Sequence, residues 1–492
     1  MAKNSYQFHK DHAANLPTIR IASIELNNFK SVKHGKIVFN CGKNFVPYGT
    51  TADILGIYGQ NGSGKTSVIE AISILKCLIS GSTIPDTYSD CIDVASPFAE
   101  LTFTFDVQYP EGSDYETNND VRKVVYSFKL SREEKNEIEI PQVFTDDSLN
   151  DFLPISDYRL VVFDETIKIS GTTCGEKVPL KPYIDTSNEK NNFGPSTKMK
   201  LLFGEMSDEK RIEIEINRRL AKEKSRSFVF MPSMIAIYSK NSNYSFLYQM
   251  LIELRLWGKD YLFVVDSKTT GMVRLNTFLP IYIGKEMTAV PINRPFVIED
   301  KSYEEMVSSF DLLSNVLSEI VPGLTIGIKD YGSELSEDGK HGRRVELIAR
   351  RGNVEIPLRA ESDGVRKLIS TLIFLVSVHN QKSTTVAYDE FDSGVFEYLL
   401  GEILQVIQIS GKGQFIFTSH NMRPLEVLKK DFVCFTTTDP LNRYIKMTGI
   451  GESNNLRRVY YREIAMHEHY TNLYNETKRN KIESAMRKIG GI

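Results

Sequence analysis

The stretch GIYGQNGSGKTSVIEAISILK, from Gly56 to Lys76, constrains this chain more than any other. Its apolar lead-in reads as the end of a strand, its glycines as a tight loop, and its apolar spacing as a helix. The loop fits the pattern G-x-x-x-x-G-K-[ST] at Gly59, Gly64, Lys65 and Thr66. Successive backbone N–H groups of such a loop surround a phosphate, and side chains larger than hydrogen at the glycines would block that approach. The helix N-terminus beneath adds partial positive charge. Gly59, Asn61, Gly62, Ser63, Gly64 and Ser67 are therefore the candidate cradle. Lys65 supplies a point charge to the β- and γ-phosphates, and Thr66 a hydroxyl for Mg²⁺. ATP with Mg²⁺ is the expected ligand.

A second run, TTVAYDEFDSG at 384–394, is an apolar strand ending in adjacent acids, Asp389 and Glu390. At the carboxyl end of a parallel strand these acids would lie beside the phosphate loop. Asp389 is then the expected Mg²⁺ ligand, and Glu390 the base that orients the attacking water. Two further elements are weaker alone. In ESDGVRKLISTLIFLVSV at 361–378, Ser362 and Gly364 open an apolar helix. That reads as an anion site or as simple N-capping by Ser362. In GQFIFTSHN at 413–421, a strand ends in Ser419, His420 and Asn421.

The order of these elements resembles the ATP-binding-cassette ATPase superfamily, and IELNNFKSV at 24–32 looks like the opening strand and turn of its SMC/Rad50/OLD-like branch. The resemblance covers 18–80 and 345–440 well and the middle loosely. It implies an α/β fold: a P-loop ABC-type ATPase head, a mixed sheet flanked by helices, with an antiparallel β subdomain and an inserted α+β lobe. By it Lys65 and Thr66 map to Walker A, Asp389 and Glu390 to Walker B, Ser362 and Gly364 to the signature, Asp392 to the D-loop and His420 to the switch histidine, a catalytic residue beside Glu390. Arg366 and Lys367 stand where the branch carries basic residues after the signature. A Q-loop glutamine is not evident, and Gln108 is a poor candidate. The resemblance also implies a homodimer, or a higher homo-oligomer, with ATP sandwiched between two heads.

The expected organisation is an N-terminal half of the head at 1–130, an inserted lobe at 131–340, a C-terminal half at 341–440 and a docking tail at 441–492. Strands are expected at 18–30, 36–40, 52–58, 99–107 and 122–130, and a helix at 67–79. The segment 131–200, rich in Asn, Ser, Asp, Lys and Pro, reads as loop with little core. Residues 207–225 read as a solvated helix, and 329–344 as a polar hairpin between strands.

Composition bounds the alternatives. The chain has 492 residues, a formal net charge of -3 and 41% hydrophobic residues. That suits a sizeable core and argues against a wholly basic nucleic-acid coat. Five scattered cysteines without a C-x-x-C pair point to neither zinc nor disulfides. No signal peptide and no apolar run of roughly 20 residues is seen, so a cytoplasmic protein without membrane contact is expected. The long coiled coils and C-x-x-C hook of SMC and Rad50 proteins are missing, and the roughly 70 residues after His420 are too few for a Toprim domain. What remains looks like the stand-alone ATPase subunits of bacterial anti-phage systems of the Septu and PARIS type. That resemblance implies a switch or sensor acting on a separate effector nuclease of HNH or Toprim type.

Two rival readings stand beside it. Arg462 and His467 form an R-x-x-x-x-H spacing, with His469 nearby, as in some HEPN ribonucleases. A chain joining ATPase and anticodon-nuclease-like RNase would fit, as would a basic docking helix. Lys and Arg in 198–226 and 456–488 leave open a nucleic-acid partner and a DNA-binding, repair-type ATPase.

Overall fold

The computed structural model describes residues 17–39, 51–109, 121–135, 157–173, 176–187, 193–240, 246–266, 278–283, 286–336, 339–448, 451, 455–466, 473–475 and 478–489. Its strands, in chain order, begin with β1 (Thr18–Phe29), β2 (Val32–Val38), β3 (Asp53–Tyr58), β4 (Ala99–Gln108), β5 (Val121–Glu134), β6 (Tyr158–Thr173), β7 (Glu176–Asp185) and β8 (Leu262–Val265). They continue with β9 (Phe278–Ile283), β10 (Glu286–Pro291), β11 (Phe296–Glu299), β12 (Leu324–Leu335), β13 (His341–Arg351), β14 (Val354–Pro357), β15 (Thr385–Tyr388), β16 (Gln414–Thr418), β17 (Val433–Thr436) and β18 (Tyr444–Ile445).

Two six-stranded sheets organise the molecule. The first is antiparallel, in the order β2-β1-β4-β5-β6-β7; the second runs β18-β17-β3-β16-β15-β8. In the second, β17, β3, β16, β15 and β8 are parallel, and β18 closes the edge antiparallel. Buried on both faces, its strands are near-continuous apolar runs. The side chains still alternate: Leu55 and Ile57 join one core, Ile54 and Tyr58 the other.

The helix Lys65–Ser80 lies between the two sheets. Val68, Ile69, Ala71, Ile72, Ile74, Leu75, Leu78 and Ile79 are all fully buried, in one core with Phe103 and Phe105 of β4 and Leu55 of β3. It ends at Gly81, whose left-handed φ of 73° lets its N–H reach back to Leu78 O. On the opposite face of the parallel sheet pack the helices Asp300–Ile320, Asp363–Asn380 and Glu397–Ser410. A small sheet of β11, β13 and β12, with β14 on β13, adjoins that second core.

Three expectations need correction. The segment 131–200 is not mainly loop: β6 and β7 extend the antiparallel sheet and bury Leu160, Val161, Ile167, Ile169 and Ile184. Its polar composition belongs to the solvent face and the connections. The expected boundary at residue 131 falls inside β5, and β8, expected within the inserted lobe, is a strand of the parallel sheet. The polar hairpin expected at 329–344 is present as the antiparallel pair of β12 and β13, with Leu335 opposite His341. The expected solvated helix appears as Asp208–Glu223, capped by Ser207, with Ile212, Ile216 and Leu220 exposed.

The first core holds buried acids. Glu253 accepts from Tyr109 OH and Gln249 Nε2, each at 2.7 Å. Burial pushes its carboxyl from 4.5 up to about 7. A carboxyl whose folded pKa is raised favours the folded state most below its unfolded pKa, and that advantage is lost as pH rises through the folded value. We predict that the wild type loses stability relative to Glu253→Gln between pH 4.5 and about 7. Urea unfolding of both proteins across that range checks this; parallel pH profiles would contradict it.

Candidate functional site

The glycine loop, Asp389 with Glu390, and the Ser419–Asn421 turn follow the carboxyl ends of β3, β15 and β16, parallel strands of one sheet. The loop itself is shaped by three glycines at positive φ: Gly59 at 152°, Gly62 at 77° and Gly64 at 91°. Two are also held by close approach. A Cβ on Gly59 would lie 1.8 Å from Thr436 Oγ1, and one on Gly64 would lie 3.0 Å from Val32. At Gly62 a Cβ would meet nothing within 4 Å, so that glycine answers to backbone conformation and open access.

The loop is braced from both neighbouring strands. Thr436 Oγ1 lies 3.2 Å from Tyr58 O and against Ser63 Oγ, which lies 2.5 Å from Gln60 O, so two hydroxyl protons serve three contacts. Tyr444 OH donates to Gly64 O at 2.8 Å, and Ser31 Oγ to Gly62 O at 3.3 Å. Lys65 is buried and donates to Gly59 O at 2.9 Å and Gln60 O at 3.1 Å. Burial lowers its ammonium pKa, opposed by the carboxylates of Asp389, Glu390 and Asp392. Asn61 is exposed at the loop tip, and Ser67 is buried in the first helical turn.

Asp389 follows β15 and is nearly covered, at 7% exposure. Thr418 Oγ1 donates to its Oδ1 at 2.6 Å, and Thr66 Oγ1 to the same oxygen at 3.3 Å. Burial raises its pKa, while these two hydroxyls lower it. The structure thus brings Thr66 and Asp389 together across 323 residues of chain. An oxygen pair of this kind, beside a buried ammonium and inward-facing amides, suits Mg²⁺ with a nucleotide's phosphates. The glycine cradle leaves the phosphates room.

Glu390 is exposed and holds a left-handed φ of 50°, its N–H bound to Thr418 Oγ1 at 2.8 Å. Asp392 accepts from the backbone N–H of His420 at 3.2 Å and of Asn421 at 3.0 Å. The expected D-loop acid and switch histidine therefore meet through the histidine backbone, leaving the exposed imidazole to face outward from the strand end. Ser362 is the N-cap of its helix, accepting from Val365 N–H at 3.3 Å. Gly364 is brought against the turn after Glu390: a Cβ on it would lie 2.9 Å from Gly394 O. Gln108 ends β4 in the antiparallel sheet, opposite Thr18 and Val121.

Sequence reading missed several contributors. Asp266 ends β8 in register beside Asp389, and accepts from Ser73 Oγ at 2.6 Å and Tyr88 OH at 2.7 Å. Its run LFVVD repeats the apolar-strand-then-acid pattern of TVAYD, a signal that was available. Gln60 Oε1 accepts from Asn475 N–H at 3.0 Å, so the tail touches the loop. The tail is anchored by fully buried Leu473 and by Tyr460, whose ring stacks on Phe435 at 4.7 Å. Of the RNase pair, Arg462 is exposed on the helix Leu456–Met466, 3.8 Å from Glu463, and His467 lies outside the described residues, as does His469.

The glycine loop, the parallel sheet behind it and the acidic strand end beside it together form a P-loop α/β fold. Residues 23–249 match a protein family described as AAA domain, a span that carries the phosphate loop and stops before Asp389. No curated protein matches the chain. Among solved structures it is similar to an Smc head bound to the C-winged helix domain of ScpA, at 13% identity over 87% of this chain and 97% of that one, with a TM-score of 0.41. It is similar to an Smc head with an extended coiled coil, bound to the C-terminal domain of ScpA, from Pyrococcus furiosus, at 13% identity over 92% and 100%, with a TM-score of 0.40. It is also similar to the recombination mediator RecF with ATP, at 12% identity over 88% and 100%, with a TM-score of 0.34. None of the described helices is long and apolar enough to cross a membrane.

We predict that Lys65→Ala weakens ATP binding by on the order of 100-fold, through loss of a buried charge-assisted contact. Gly59→Ala should weaken it as well, because its Cβ would collide with Thr436. Calorimetric titration of ATP into folded variants measures both, and undiminished affinity would remove the loop from nucleotide binding.

Proposed function

We propose that this chain hydrolyses ATP and uses the nucleotide cycle as a switch. The observation that carries this reading is the contact of Thr66 with buried Asp389, which joins the phosphate loop to the acidic strand end. Thr66 and Asp389 would hold Mg²⁺, which when bound would supply Lewis-acid withdrawal of charge from the phosphate oxygens. Lys65 neutralises charge building on the β- and γ-phosphates. Glu390, exposed next to Asp389, orients water for in-line attack and accepts its proton. His420 contacts the far side of the γ-phosphate, its backbone fixed by Asp392.

Two copies close over two nucleotides, each offering Ser362 and the Gly364 amide to the partner's γ-phosphate. The exposure of Ser362 at a helix N-terminus supports this reading. Hydrolysis loosens the pair, so the surfaces beyond the sheets differ between states. A separate effector nuclease, of HNH or Toprim type, reads that difference in anti-phage defence; the motif set and its resemblance to Septu- and PARIS-type subunits support this step. Electrophoretic mobility of duplex DNA with the ATP-bound protein, repeated across salt concentrations, separates a DNA sensor from an adaptor.

Glu390→Gln keeps the size of the side chain and removes the base. We predict that it binds Mg-ATP, hydrolyses it about two or more orders of magnitude more slowly, and accumulates as an ATP-dependent closed dimer. Light scattering after size exclusion, with and without ATP, reads the second effect. A variant that hydrolyses at the wild-type rate removes Glu390 from the mechanism, and one that binds ATP without closing contradicts the shared site.

The RNase reading receives its own check. Arg462→Ala and His467→Ala should leave ATP hydrolysis intact and abolish no RNA cleavage. Cleavage of labelled RNA by the wild type that either change stops would replace the adaptor reading.

A further inference from the structure

The helix Asp363–Asn380 touches the Glu390 turn at two places. Lys367 Nζ donates to Glu390 O at 3.1 Å, from a half-buried position 5.7 Å from the centre of the Tyr388 ring. One turn away, Gly364 and Gly394 meet backbone to backbone: a Cβ on Gly394 would lie 3.3 Å from Gly364 Cα. Gly394 is left-handed at φ 78°, as Glu390 is at 50°. The same helix also grips the strand before the acids, because Thr371 Oγ1 donates to Lys367 O at 2.7 Å and is hydrogen-bonded to Tyr388 OH at 2.8 Å. Burial lowers the Lys367 pKa, while Glu390, Asp392 and Asp389 raise it.

A non-glycine residue at positive φ is held there by its surroundings. At Glu390 those surroundings are the Thr418 hydroxyl on its N–H, and on its C=O the Ser393 N–H at 3.0 Å together with the Lys367 ammonium at 3.1 Å. We infer that Lys367 is a positioning residue for Glu390: by holding the carbonyl it fixes the turn that aims the carboxylate at the attacking water. Because Lys367 lies on the helix that begins at Ser362 and Gly364, a load on that N-terminus reaches the base directly. This inference rests on the proposed role of Glu390, and the test separates the two.

Single-turnover hydrolysis and ATP affinity are measured for the wild type, Lys367→Met, Lys367→Arg, Glu390→Gln and the Lys367→Met/Glu390→Gln double variant. Lys367→Met should lower hydrolysis ~10- to 100-fold, the effect of misplacing a reacting group, with ATP affinity unchanged. Lys367→Arg, which keeps a charged donor, should recover most of the rate. In the Glu390→Gln background the Lys367→Met change should cost nothing further, since both act through one group. An equal loss in both backgrounds, or a wild-type rate for Lys367→Met, overturns the inference. Wild-type hydrolysis by Glu390→Gln instead overturns the assignment of the base. Should Lys367→Met fail to fold, Lys367→Gln, shorter and neutral, takes its place under the same criteria.

Discussion

Burial of most of the helix Lys65–Ser80 between two sheets is the constraint on which the rest depends. A helix pressed between two sheets has no solvent face, so each polar side chain on it must find a partner or cost stability. Glu70, Ser73 and Lys76 do so against both sheets. Glu70, fully buried, takes Lys30 Nζ at 2.6 Å from the β1–β2 turn. Ser73 donates to Asp266 at the end of β8. Lys76 donates to Leu262 O at the start of β8, and burial brings its pKa down to about 8. The helix that presents Lys65 and Thr66 is therefore indexed against both sheets by polar contacts as well as apolar packing.

That indexing explains why so few atoms suffice at the site. Thr66 lies in the first turn of a helix whose later turns are locked, so its hydroxyl meets Asp389 without a dedicated loop. The parallel register does the rest: β8, β15 and β16 end side by side and deliver Asp266, Asp389 and the Ser419–Asn421 turn to one edge. Backbone contacts carry much of the fine placement. Asp392 holds two amides of the turn after β16, and Thr418 holds both the Asp389 carboxylate and the Glu390 N–H.

Much of this was legible in the sequence because local chemistry and global role coincide there. The glycine loop, the apolar strand ending in Asp389 and Glu390, and the strand ending at Thr418 each carry their own geometry. What was not legible depends on pairing between distant segments. β6 and β7 read as polar because one face of their sheet is wet. β8 read as part of an insertion because its four residues gain meaning only beside β15. Taken alone, Ser362 reads as a cap sooner than as an anion site, and in this chain it is the cap. No sequence pattern announces that Gly364 and Gly394 touch.

The left-handed backbone at Glu390 has a consequence for how mutational tolerance there is interpreted. Any replacement at that position is screened twice, once by conformation and once by chemistry. Glycine and asparagine enter the left-handed region easily and bring no carboxylate, so their defect isolates the missing base. Valine or isoleucine adds steric conflict at φ 50°, and the resulting loss mixes a displaced turn with absent chemistry. A selection experiment scoring every substitution at 390 by activity alone would therefore rank backbone compatibility and proton acceptance on one scale. Aspartate, which combines the preferred conformation with a shorter acid, is the substitution at which the two contributions come apart.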